Sequence, residues 1–165
     1  MQDNEYSVDM NQQAQAPSLP MKWHKFLIYF SLWAGAVLNL LSAYQYSTGV
    51  IYGSLEKADF IYSLYDGLKF IDTMMTVMLI AIAVFSIVTR FALAQYKKNG
   101  PALLMALYIL NIVCSAAYIF MVSNITALGI SELMDSSSYS SLISSIVMIF
   151  INKIYYDKRA SLFVN

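Results

Sequence analysis

Long apolar runs, separated by short polar or charged stretches, dominate the chain from residue 26 onward. No charge interrupts Phe26 to Leu55, and the first membrane span is predicted at about 26–46. The second, about 70–94, has Asp72 near its start and Arg90 near its end. Its charge-free centre, Thr73 to Thr89, is about 25 Å long at 1.5 Å per residue. That nearly matches the ~30 Å hydrocarbon core of a bilayer. The third span covers about 101–123 and the fourth about 137–156. The fourth is the weakest, because its first half is serine-rich and its apolar centre runs only from Leu142 to Ile151. The pattern predicts an all-α membrane protein, a bundle of four antiparallel transmembrane helices spanning residues 21–159. The polar segment 1–20 lacks apolar periodicity and is expected to be a disordered tail. Residues 160–165 form a short tail after the last span.

The connections carry their own signals. Lys97-Lys98-Asn99-Gly100-Pro101 reads as a helix stop followed by a start. Asn99 or Gly100 suits a left-handed cap, and Pro101 suits a first helical turn. Spans two and three should therefore form a tight hairpin. Asp135 or Ser136 can cap the fourth span. In the long connection 47–69, Leu55, Ala58, Ile61, Tyr62, Tyr65 and Leu68 fall near one helical face. This suggests a short amphipathic helix in the interface, ended by Gly67, and read as an anchored loop rather than a lid. Tyr46, Tyr52, Tyr62 and Tyr65 suit an interfacial aromatic belt.

Composition supports the membrane reading. The 165 residues are 59% hydrophobic and 12% charged, about half the charged share of a soluble domain. A soluble fold of this size could not hide so much apolar surface. Lys22 and Lys25 lead into an apolar run that is longer than the core of a signal peptide, so the run is read as a retained span. Basic residues are segregated along the chain. Lys22 and Lys25 precede span one, Arg90, Lys97 and Lys98 lie near the hairpin, and Lys153, Lys158 and Arg159 end span four. The other two connections hold Lys57 and Lys69 among Glu56, Asp59, Asp66, Asp72, Glu132 and Asp135. The positive-inside rule then puts both termini and the hairpin in the cytoplasm, as an even number of spans also requires. The chain is expected in the plasma membrane, with Arg90 snorkelling to the cytoplasmic headgroups.

Polar residues within the spans are the candidate functional groups. Lipid gives helices no hydrophobic reason to associate, so small residues and interhelical hydrogen bonds must do it. Ser137, Ser141 and Ser145 form a stripe on span four, and Ser31, Gly35 and Asn39 form one on span one. Span three offers Asn111 and Ser115. These faces are expected to point inward and meet, with span four packed on span one. Asn39, Asn111, Asn152 and Asp72 either line a path or act as packing groups, and packing is favoured for the asparagines. Asp72 is expected near the outer interface, where its burial cost is small. No acidic residue falls at mid-membrane, which argues against a proton-coupled multidrug pump of the small four-helix type.

Chemistry is sparse. Cys114 is the only cysteine and reads as a small buried apolar residue. His24, the only histidine, lacks the companions a metal or catalytic site needs. No Cys-x-x-Cys, His-Glu-x-x-His, Gly-x-Ser-x-Gly or phosphate-binding loop occurs. No basic tract points to nucleic acid. The triplet Asn124-Ile125-Thr126 matches a glycosylation sequon but follows a span too closely to be a good acceptor. Neither an enzyme nor a cofactor is expected.

Three segments carry a resemblance. They are Leu19-Pro20-Met21-Lys22-Trp23-His24-Lys25-Phe26 with Leu27-Ile28-Tyr29-Phe30-Ser31-Leu32, the hinge Tyr96-Lys97-Lys98-Asn99-Gly100-Pro101, and Asn152-Lys153-Ile154-Tyr155-Tyr156-Asp157-Lys158-Arg159 with Leu162-Phe163. Together they resemble small four-span membrane proteins of gut-type Gram-positive bacteria, some of which carry an N-terminal zinc ribbon. The ribbon's cysteines are missing here. The resemblance implies a bacterial plasma membrane and no particular activity. The leading expectation is a subunit or accessory membrane protein acting through helix–helix contacts. Its partners would be the lipid bilayer and another membrane protein or a second copy. The alternative is a small oligomeric transporter or channel lined by Asp72, Asn39 and Asn111.

Overall fold

The structure, a computed structural model, describes residues 20–134 and 136–164, with backbone alone for 136–138. The polar segment 1–19, the cap expected at Asp135 or Ser136, and the packing role of Ser137 lie outside the described residues. Among the described residues the fold is entirely helical. Helix α1 runs Lys22–Thr48 and includes a π turn at Leu27–Ser31. Helix α2 is Leu55–Leu64, α3 is Leu68–Ala94, α4 is Gly100–Thr126, α5 is Ile130–Leu133 and α6 is Ser136–Asp157. Single 3₁₀ turns occupy Val50–Tyr52 and Ala160–Leu162.

Three helices, α1, α3 and α4, are long and apolar enough to cross a membrane. Each has 27 residues, or about 40 Å of helix. Helix α6 has 22 residues, about 33 Å, and carries the serine-rich stretch. Large apolar side chains such as Phe30, Leu38, Val77, Phe120 and Phe150 are exposed on the helices. In water such a surface would be an aggregation liability, whereas lipid solvates it.

The turns follow from a few residues. Gly49 ends α1 at φ 72°, where a Cβ would lie 2.5 Å from the Ala58 Cβ. Glycine there meets a conformational need and a close approach at once. Ser54 Oγ accepts the Lys57 backbone N–H at 3.2 Å and caps α2. Helix α2 stops at Leu64, and Gly67 opens α3 instead of ending α2, its carbonyl accepting from Phe70 and Ile71. In the α3–α4 hairpin the left-handed residue is Tyr96, at φ 53°, not Asn99 or Gly100. The Tyr96 ring lies 5.1 Å from the His24 ring and 5.5 Å from that of Phe163, contacts that offset the strained backbone. Gly100 is needed for proximity, since its Cβ would meet the Ala92 backbone at 3.3 Å.

Packing runs in a chain, with α1 on α3, α3 on α4 and α4 on α6. The closest seam, α1 against α3, buries Ala36, Ala43, Ala83 and Ser86. Ser86 Oγ donates to the Leu32 carbonyl at 2.9 Å, and Arg90 Nε donates to that of Ile28 at 3.2 Å. The two acceptors are one turn apart around the π turn, whose wider winding perturbs the normal carbonyl ladder. Arg90 therefore packs against α1, its guanidinium over the rings of Trp33 and Phe91. The expected packing of α6 on α1 is corrected as well. The two helices meet through Trp23, His24, Asn152, Tyr155 and Tyr156, while their serine and glycine stripes stand apart.

Candidate functional site

The stripes stand apart because a partly open cavity of about 1400 Å³ lies between them. Ser31, Gly35, Asn39 and Ser42 line it from α1, Asn111 and Ser115 from α4, and Ser141 and Ser145 from α6. Leu32 and Leu107 border it on one side and Leu68 and Val122 on the other. These belong to two separate apolar cores, one at the end carrying the termini and one at the end carrying the α1–α3 and α4–α6 loops. The cavity is thus the gap between two cores within a single chain.

Three of its polar side chains are bonded within their own helices. The Asn39 amide donates to the Gly35 carbonyl and that of Asn111 to Leu107, both at 2.9 Å and both within their own helices. Ser145 Oγ likewise donates to the Ser141 carbonyl at 2.9 Å. Each satisfies one hydrogen bond locally while lining the cavity. Ser86 also lines it and was not legible as a site residue, because it sits among apolar residues of α3.

At the loop end Asp72 is 1% exposed. Its Oδ2 accepts from the hydroxyls of Tyr52 and Tyr62, both at 2.8 Å. Its Oδ1 accepts from the Tyr118 hydroxyl at 2.9 Å. The donors come from the 3₁₀ turn after α1, from α2 and from α4, so one carboxylate ties three elements to α3. Charge-assisted bonds of this kind are the strong ones. Burial, then hydrogen bonding to Asp72 and its charge, raise the Tyr52 and Tyr62 phenols above their ordinary range. Tyr52 and Tyr118, with Tyr46 and Tyr65, line the loop end of the cavity. Tyr52 and Tyr62 had been legible only as belt residues. A carboxylate near the start of a span, with tyrosines on both sides in sequence, is the signal that would have linked them.

The opposite end closes on a neutral amide and a ring cluster, with Arg159 at its edge. Trp23 Nε1 donates to Asn152 Oδ1 at 2.9 Å, and Asn152 Nδ2 donates to the Met148 carbonyl at 2.8 Å. Asn152 is the asparagine that does join helices, as expected of a packing group. His24 is completely buried, shares a 3.0 Å hydrogen bond with the Tyr156 hydroxyl, and meets Tyr96, Tyr156 and Phe163 ring to ring. The guanidinium of Arg159 lies 3.8 Å from the Tyr155 ring centroid and donates to the Pro20 carbonyl. All three segments that carry the sequence resemblance converge on this cluster. Cys114 is buried in the adjoining core. Asn124 sits in the last turns of α4 with its amide bonded to the Phe120 carbonyl. Among the described residues no group of three or more His, Cys, Asp or Glu could hold a metal ion.

Compared with known proteins, the chain matches no family model, no curated protein and no solved structure.

Proposed function

We propose that this chain is a four-span protein of the plasma membrane, with both termini cytoplasmic, that binds a small solute in its cavity and passes it across the bilayer. The observation that supports this is the convergence of Ser31, Asn39, Asn111, Ser115, Ser141 and Ser145 on one cavity. Polar side chains within membrane spans are costly unless they face one another or a hydrated space. Here they face a space large enough for a solute. Helix α6 is the fourth span in this reading, and the basic cluster Lys153, Lys158 and Arg159 anchors its cytoplasmic end. The role needs no nucleophile, cofactor or metal, only a path and specific contacts. A second reading is an accessory subunit that seats a transmembrane helix of another protein or a second copy. It is favoured by Ser141 and Ser144, small residues left exposed on α6.

Single cysteines in a Cys114→Ala background test the reading. A charged, membrane-impermeant methanethiosulfonate added outside intact cells should modify a cysteine at Glu56 quickly and one at Asn39 slowly but completely. A cysteine at Asn99 should stay protected, and so should one at Val37, which is exposed on α1 but does not line the cavity. Protection at Asn39 equal to that at Val37 would overturn the cavity reading. Exchanged reactivity of Glu56 and Asn99 would overturn the orientation.

A further inference from the structure

We infer that the loop end of the cavity is a binding site for a small organic cation, an ammonium group with apolar substituents. The inference rests on the solute-binding reading above and names its substrate class. It starts from a charge imbalance. Asp72 is buried among Tyr52, Tyr62 and Tyr118, and all three donate to it. The ion pair found among the described residues is Lys153–Asp157, at the other end of the bundle. The carboxylate thus sits out of water with dipoles around it and, among the described residues, no cation within ion-pair distance, an arrangement that leaves a negative field in the surrounding low-dielectric space.

The second observation is what borders that field. Tyr46, Tyr52, Tyr65 and Tyr118 all line the adjoining cavity. The Tyr46 and Tyr118 rings meet edge to face at 5.1 Å, and Tyr52 meets Tyr62 in the same way at 5.7 Å. Aromatic faces attract cations, and a group of rings beside a carboxylate is the chemistry that recognises alkylated ammonium groups. A phenol that donates to a carboxylate also carries a more negative oxygen and ring. The molecule already uses one such face, because the Lys69 ammonium lies 5.9 Å from the Tyr62 ring centroid. Tyr62 does not line the cavity, so the cavity-facing rings keep room for a ligand.

A bare metal ion fits less well. Hard cations take six or more oxygen ligands, whereas both Asp72 oxygens are occupied by phenols and the cavity presents mostly ring and hydrocarbon. An anion would be repelled. Leu68, Ile61, Val122 and Leu133, which also line this end, suit the apolar substituents of an organic cation.

The test uses radiolabelled benzyltrimethylammonium and the purified full-length protein in detergent. Binding should be saturable, and roughly tenfold or more weaker in Asp72→Asn. Asp66→Asn, which alters an exposed acid on the same loop, should bind as the parent does. Tyr46→Leu removes a lining ring that packs on Tyr118 but keeps all three hydroxyls that donate to the carboxylate, and should weaken binding several-fold even if Asp72→Asn fails to fold. Neopentylbenzene, the neutral isostere, should not compete. No saturable binding at millimolar probe, equal competition by the isostere, or binding unchanged in Tyr46→Leu would each overturn the assignment. Failure here with the Asn39 cysteine still reactive would leave the cavity reading standing and remove only the cation.

Discussion

The two ends of the bundle use similar residues to opposite effect. At the termini end a polar residue, Asn152, meets aromatic neighbours and is neutral. One indole and one carbonyl of its own helix bond to it, and the rings of Tyr96, Tyr156 and Phe163 pack around His24. At the loop end the polar residue is Asp72, and its charge demands more. Three hydroxyls from three elements are needed, and the rings that supply them border a large cavity instead of filling it. The neutral amide links two helices through one indole, whereas the buried charge gathers three donors from three elements. The loop end is therefore organised around one residue, and the termini end around many.

That contrast can be broken by substitution. Asp72→Ala leaves three phenols without their common acceptor and releases the 49–65 connection from α3. It should destabilise by about 3–5 kcal/mol, in the range for removing one member of a buried charged network. Trp23→Phe, which deletes one neutral hydrogen bond and keeps the ring packing, should cost about 1 kcal/mol. Denaturant titration in mixed micelles would measure both, and equal losses would erase the distinction between the ends. A smaller effect than that of Asp72→Ala is expected from Gly49→Ala. It forces a side chain into positive φ and against Ala58, and should cost about 2 kcal/mol. Faster proteolysis within 49–65 and unchanged packing at Trp23 would show that the damage stays at the loop end. The smallest effect is on pH dependence. The Tyr52 and Tyr62 phenols titrate above their ordinary value of 10.0 when folded. Their contribution is fully present below about pH 10 and is lost as pH rises beyond it towards the raised values. Melting temperature should stay flat across neutral pH and fall in strong alkali, and Tyr52→Phe should shrink that alkaline fall.

The long helices were legible because crossing length and apolar content are properties of contiguous sequence. The hairpin was legible because Gly100 and Pro101 each do one local job. The stripes were legible as shared helix faces, but not in what they face. Spacing shows that Ser31, Gly35 and Asn39 share a side of α1, yet whether α6 or empty space lies opposite depends on how α4 and α6 pivot. The π turn left no mark in the apolar pattern, and Arg90 turned inward to a carbonyl beside it. The burial of Asp72 was not legible for a related reason. It is set by Tyr52, Tyr62 and Tyr118, which are 20, 10 and 46 residues away.

Helix α6 is joined to α1 through side chains at one end, by Trp23 to Asn152 and by the rings around His24, while its serine half faces α1 across a gap. Two rods fastened in this way form a peg. Any rotation about the fastening would change the width of the open jaw in proportion to distance from it. Small side chains along the jaw let it narrow without collision, so the aperture is set by an angle at the Trp23–Asn152 end.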